Sequence, residues 1–280
     1  MVAPVTLPPG KAGRAALEVQ LVFRKSTVIS AFATSPMKLL TPRSRGDSVW
    51  ACTSSFGGGL VAGDQTSLEL QLGPETCCFL GTQASTKVYR NPAALPCGHE
   101  TRAIVDNGAA LVFAPDPVQA FAGASYAQRQ EFNLASDANL VLLDWFTSGR
   151  AARGERWAFA RFSSRNQVNV GGKTVFLDSL ALDSADGDLA APHRTGRFNC
   201  LAVLLLVGPK LHDAAQKLLA KVSAAPVPRQ AALVFSASPI ADGAVLRIAG
   251  EHVEAVGREL HKYLAPLNAF LGDDPWARKW

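Results

Sequence analysis

The residues of this chain best placed for chemistry are acids at the ends of glycine-rich or apolar runs. Asp64 closes the run Phe56-Gly57-Gly58-Gly59-Leu60-Val61-Ala62-Gly63-Asp64, and Asp144 sits between Leu143 and Trp145. Arg150 and Glu155 follow shortly after. A carboxylate in such surroundings can bind a cation, move a proton, or pair with an arginine. Pairing is the commoner outcome for a buried Asp with Arg nearby. The functional alternative is that Asp64, Asp144 and Glu155 line one polar passage.

Other chemistries fail on spacing. Gly58 and Gly63 stand at phosphate-loop spacing, but Asp64 and Gln65 occupy the Lys and Ser/Thr positions, and a carboxylate there repels phosphate. Gly57, Gly59 and Ala62 fit a degenerate dinucleotide fingerprint, which must open a helix; the alternating stretch Ser67–Leu72 follows instead. Gly57, Gly58, Gly59 and Gly63 are thus expected to serve a tight turn. Cys97-Gly98-His99 and Cys77-Cys78 match no structural zinc spacing. Ser85 lies in Ala-Ser-Thr rather than a nucleophile elbow, and no HExxH occurs. The segment Gly81–Arg90, taken alone, reads as a solvated edge strand guarded by Lys87 and Arg90. His212, His252 and His261 are expected at exposed positions on two late helices. No catalytic centre emerges. The enzymatic alternative is a β-rich hydrolase using paired carboxylates such as Asp64 and Asp144, roughly 5–10 Å apart.

The elements that must hold these residues are mostly strands. Leu17, Val19, Leu21 and Phe23 alternate with polar residues, as do Leu68, Leu70 and Leu72 before Gly73-Pro74. Further strands are predicted at Cys77–Gly81, Ala109–Ala114, Leu140–Phe146, Gln167–Val170, Thr174–Leu177, Cys200–Val207, Ala231–Ser236 and Ala244–Ile248. Helical spacing appears from Pro209 to Val222 and from about Glu251 to Tyr263. Strands ahead of two late helices predict a mainly β chain. We expect one domain over 1–280, flexible at 1–14, with a helix-containing subregion at 209–280.

Composition narrows the class. Hydrophobic residues make up 48% of the 280, enough for a sizeable core. The net charge of +5 is mild and its basic patches are short, which argues against nucleic acid and for a solvated face or an acidic protein partner. Five cysteines, an odd number with one adjacent pair, make a poor disulfide framework. The Pro/Gly-rich start lacks the apolar core of a signal peptide, and the longest apolar run, Cys200–Val207, is only strand-length. The expectation is a reduced, cytoplasmic protein that does not engage a membrane.

Taken together, Gly57–Asp64, Thr82–Arg90, Pro115-Asp116-Pro117 with Phe121, and Asp144-Trp145 through Ser148-Gly149-Arg150 to Gly154-Glu155 resemble, in order and spacing, the urease accessory protein D family (UreD). Arg247, Leu271-Gly272 and Pro275-Trp276 are similar to its C-terminal region. Pro115-Asp116-Pro117 replaces a Pro-Gln-Glu-like segment of many bacterial members and looks more like the plant-type branch. The resemblance implies a two-layered, helically wound β structure with two helices near the C-terminus. It implies a non-catalytic maturation factor that binds apo-urease and accessory protein F directly, and the GTPase accessory protein G through F. No cofactor is implied to be tightly bound; nickel(II) would be in transit through an internal tunnel. Its polar positions fall on Asp64, Thr82, Ser85, Asp144, Arg150 and Glu155. Asp64, Asp144 and Glu155 would be transient ligands, Thr82 and Ser85 neutral lining, and Arg150 an orienting partner.

Overall fold

The computed structural model describes residues 12–92, 94–95 and 97–277. The chain begins with β1 (Ala12–Val22), β2 (Lys25–Ala33), β3 (Met37–Leu40) and β4 (Val49–Ser55). It continues through β5 (Gln65–Leu72), β6 (Cys77–Thr82), β7 (Thr86–Val88), β8 (Gly98–Val105), β9 (Ala110–Phe113) and β10 (Val118–Ala120). Next come β11 (Ser125–Leu134), β12 (Asn139–Thr147), β13 (Arg161–Val170), β14 (Lys173–Asp183) and β15 (Cys200–Val207). The last part holds α1 (His212–Ser223), β16 (Leu233–Ile240), β17 (Gly243–Gly250), α2 (Val253–Leu264) and the one-turn α3 (Asn268–Leu271).

Two sheets face each other. One has the order β14-β13-β11-β8-β5-β1-β2, the other β16-β17-β15-β12-β9-β6-β4-β3, with β10 and β7 attached beside β12. The middle of the chain alternates between them: β5 then β6, β8 then β9, β11 then β12. Each return to a sheet lays the new strand parallel to the previous one, so the backbone winds helically. Parallel neighbours need a crossover, and here the opposite sheet supplies it. Gly73-Pro74 and Asp106-Asn107-Gly108 make two of the corners. The winding is in register, so Leu72, Val105 and Leu134 fall at one level.

Strand periodicity decides what each face meets. In the first sheet alternate residues point inward, while the outer face stays charged and solvated, as along β8 and β11. The second sheet is covered on its outer face too. There α1 packs on β15–β17, α2 on β15 and β17, and α3 on β6. Burial on both faces explains the near-continuous apolar runs of β12 and β15. One apolar cluster fills the space between the sheets, a second lies under the helices, and a third gathers around Tyr126, Phe146, Trp157 and Phe162.

The mainly β, two-layered wound architecture with two late helices is as expected. Some boundaries are not. Within 1–14, Ala12–Arg14 belong to β1 and pair with Gln65–Ser67, because adding to a sheet edge satisfies their backbone; residues 1–11 lie outside the described ones. Leu21 and Phe23 do not share the buried face of Leu17 and Val19. Pairing with β5 ends at Val19, beyond which only β2 remains, leaving Leu21 43% and Phe23 98% exposed.

Candidate functional site

In-register winding has a consequence for polar residues. Where one strand carries an inward polar side chain, the next turn can place another beside it, one inter-strand spacing away. The inner face of the first sheet does this in two adjacent rows. One row reads Thr66, His99, Gln128, Ser164; the next reads Leu68, Thr101, Gln130, Asn166, Asp178. The levels to either side are apolar. Ala103, Phe132 and Val168 lie on one side, and Tyr126 and Phe162 on the other. A polar ladder thus crosses the interior along the direction of strand stacking.

Burying such groups is tolerable only if they bond to one another. Gln130 Nε2 donates to Asn166 Oδ1 at 2.8 Å, and Gln128 Nε2 to Ser164 Oγ at 2.9 Å. His99 sits between hydroxyls, with Nδ1 2.8 Å from Thr66 Oγ1 and Nε2 3.1 Å from Thr101 Oγ1. Burial lowers its imidazole to about 4 despite the nearby Glu100, so the ring is neutral in the physiological range.

Asp144 faces this ladder from the second sheet. Leu140, Leu142, Asp144 and Phe146 form the inward row of β12, while Leu143 and Trp145 point to the helices. Its Oδ1 accepts from Gln128 Nε2 at 2.7 Å, and its Oδ2 from Ser164 Oγ at 2.6 Å and Asn166 Nδ2 at 2.7 Å. These three donors are neutral. Burial raises the carboxyl above its ordinary value; the three hydrogen bonds oppose that shift and the charge of Asp178 adds to it.

Asp144 also marks a junction between two cavities. One runs along the ladder past Thr66, His99, Gln128 and Gln130, with Thr82 and Ser85 in its wall, and holds about 120 Å³. At ~30 Å³ each that is room for about four waters. The other, about 440 Å³, lies beyond Asp144 between β14 and β15–β17, where Arg247 Nη2 donates to Asp178 Oδ1 at 2.8 Å. Asp144 lines both. Arg247 is inward on β17, two strands across from Asp144 through Val203.

The structure therefore brings Thr82, Ser85 and Asp144 to one cavity and sets Asp64, Arg150 and Glu155 apart from it. Gly58 and Leu60 reach the wall. Asp64 is buried and its Oδ2 accepts the Val61 N–H at 2.9 Å, closing its own turn. Gly57, Gly58 and Gly63 have φ values of 76°, 73° and 85°. Gly59 is required by proximity instead: a Cβ there would lie 2.6 Å from the Lys87 carbonyl oxygen. Arg150 clasps Glu155 with two nitrogens, Nε at 2.8 Å, and stacks on Phe121 with its Cζ 4.4 Å from the ring centre. The Arg150 hydrogen bond holds Glu155 below the ordinary carboxylate range, and Glu155 also accepts the Ala122 N–H at 3.3 Å. Asp144 lines both cavities and Asp64 lines neither.

Sequence reasoning missed Gln128, Gln130, Ser164 and Asn166, whose one signal is polar residues at every second position of β11 and β13. His99, on β8, enters that reasoning only as a metal ligand beside Cys97. Among the described residues, no three His, Cys, Asp or Glu side chains converge as a metal cage. The cysteines are free thiols, and burial pushes Cys97 and Cys200 up to about 12.

A protein-family model described as UreD urease accessory protein matches residues 11–280. The chain belongs to that family. A urease accessory protein UreD of Sorangium cellulosum is 48% identical over 97% of this chain and 85% of the relative. One from Anaeromyxobacter is 40% identical over 96% of the chain and 90% of the relative. A urease accessory protein D of Arabidopsis thaliana is 33% identical over 92% and 98%. This UreD-family chain is accordingly a urease accessory protein. Among its described residues no helix is long and apolar enough to cross a membrane.

Proposed function

We propose that this UreD-family chain is a non-catalytic urease maturation factor of the cytoplasm. It binds apo-urease and accessory protein F directly, meets the GTPase accessory protein G through F, and passes nickel(II) through its interior toward the urease active site. The observation that carries the passage is Asp144, a buried acid at the shared wall of two cavities and at the side of a continuous polar ladder.

The chemistry suits a cation in transit. Nickel(II) accepts imidazole, amide, hydroxyl and carboxylate donors. Along the ladder these are neutral groups already bonded to one another, so each exchanges one partner for the ion without a large net gain. Asp144 supplies the charge that draws the ion in. Burial disfavours its ionised form, and an arriving dication favours that form. Thr82 and Ser85 line the approach. Asp64, through its turn, and the Arg150–Glu155 pair fix the backbone around the cavity from outside it.

The test is co-expression of the tagged chain with its cognate urease and accessory protein F. Both partners should co-purify, and capture of neither would refute the scaffold. Asp144→Asn should leave capture intact while lowering the nickel content of the captured urease by about 10–100-fold. Wild-type nickel content in that variant would refute the passage.

A further inference from the structure

A third cavity lies on the outer side of the second sheet. It holds about 500 Å³ between the Ala114–Pro117 segment, Leu143 and Trp145, and the face of α2. Its rim is formed by Glu254, Gly257, Arg258 and His261, which at spacings of three and four share one side of that helix. Ser85, Pro115, Asp116 and Trp145 line this cavity and the ladder cavity alike. The partition between them is therefore four residues, one of them acidic.

Asp116 is held firmly in that partition. It is 9% exposed. Thr82 Oγ1 donates to Asp116 Oδ2 at 2.9 Å and accepts the Asp116 N–H at 2.7 Å. Pro117 restricts Asp116 to extended backbone. Pro115 is tied to the second sheet by Trp145, whose Nε1 donates to its carbonyl at 2.8 Å. The three cavities thus lie in series, with one carboxylate at each shared wall: Asp116 at the first and Asp144 at the second.

We infer that Asp116 is a second cation-handling carboxylate, and that the passage opens beneath α2, where a divalent cation enters or leaves past Glu254 and His261. This rests on the nickel passage proposed above and adds its outer arm. A conduit must attract an ion and still release it, which several weak stations do better than one strong site. Two acids separated by hydroxyls, amides and a neutral imidazole meet that requirement. The oxygen and nitrogen donors at the rim suit a borderline cation.

The experiment uses the co-expressed complex and reads nickel per captured urease. Asp116→Asn keeps an oxygen to accept the Thr82 hydroxyl but removes the charge. Gly257 provides an independent block. A Cβ built there meets Trp145 Cη2 at 3.6 Å, so alanine fits, whereas leucine would fill the opening. Asp116→Asn and Gly257→Leu should each lower nickel about 10–100-fold with capture intact, and Gly257→Ala should lower it far less than Gly257→Leu. Should Asp116→Asn lose capture, the Ala-to-Leu size series decides alone. Normal nickel in both Asp116→Asn and Gly257→Leu, with Asp144→Asn defective, overturns the outer arm and leaves the passage standing. Normal nickel in Asp144→Asn as well overturns both.

Discussion

Asp144→Asn has a consequence for stability that can be worked from the three bonds around the carboxylate. An asparagine oxygen in the Oδ2 position keeps Ser164 and Asn166 as donors at 2.6 and 2.7 Å. Its nitrogen then faces Gln128 Nε2, and Gln128 must turn its amide, giving up the 2.9 Å bond to Ser164. The net loss is one neutral hydrogen bond, about 0.5–1.5 kcal/mol. Against it stands the removal of a buried charge. Because folding raises the carboxyl above its ordinary value of 3.8, the folded state holds the proton more tightly than the unfolded state. Stability from this group is then full at pH below 3.8 and is lost as pH rises through the folded-state pKa.

The variant does not titrate at this position, so the difference between variant and wild type isolates Asp144. That difference should move in favour of Asp144→Asn with rising pH, by at most about 1.4 kcal/mol per unit, then level off above the folded-state pKa. Urea unfolding of both proteins from about pH 4 to about pH 8 gives the comparison directly. A difference that is flat across that whole range, or that moves against the variant, would refute a buried, reluctantly ionised Asp144. Asp144→Leu is the contrasting case. It strands three donors, each worth about 1–3 kcal/mol when unsatisfied, and should be far more destabilising at every pH.

Three further expectations concern His99 and the glycine turn. His99, held neutral with its imidazole near 4, should show ring NMR shifts that stay constant from about pH 6 to about pH 8; stability should fall as pH drops from its ordinary 6.5 toward 4, and His99→Gln should flatten that slope. Gly59→Ala places a methyl 2.6 Å from the Lys87 carbonyl and should cost about 1–3 kcal/mol in urea unfolding. Gly57→Ala meets nothing within 4 Å and should cost only the strain of its φ of 76°, roughly 1 kcal/mol.

What could be read in the sequence, and what could not, divides along the same physical line. Strands whose inward rows are apolar, such as β5 and β15, announce themselves by periodicity or by continuous hydrophobicity. The strands that build the site do not. In β11 the inward residues are Tyr126, Gln128, Gln130, Phe132 and Leu134, and two glutamines at the centre erase the alternation. In β13 Ser164 and Asn166 do the same, so only Gln167–Val170 of its ten residues were recognisable. β8 begins with Gly98, His99 and Glu100 and loses its signal likewise. Asp144 was legible because an acid inside β12 violates an apolar run. Its partners were not, since they lie 16 to 22 positions further along or back and meet it only through the register of two sheets. Asp64 drew notice as the acid closing a glycine turn and Glu155 as the acid just after Arg150; the Val61 N–H bonds the first, and the Arg150 guanidinium with the Ala122 N–H bonds the second.

The arrangement of donors bears on whether they form a reaction centre or a path. A reaction centre gathers its groups around one point, each from a different element and each in a distinct role. Here the winding repeats one kind of group, a short hydroxyl, amide or imidazole, at successive strands of a parallel sheet. Neighbouring strands are ~4.8 Å apart, so each group is one inter-strand step from the next, from Thr66 through His99 and Gln128 to Ser164. In the proposed passage, an ion bound at one rung would reach the next before it fully released the first. Among the described residues, the charged side chains lining the two ladder cavities are Asp116, Asp144 and the Asp178–Arg247 pair. A fold that stacked its turns out of register would scatter these groups over different levels. The helical winding thus supplies the regular spacing that the proposed transfer needs, and three hydrogen bonds hold the Asp144 carboxylate beside it.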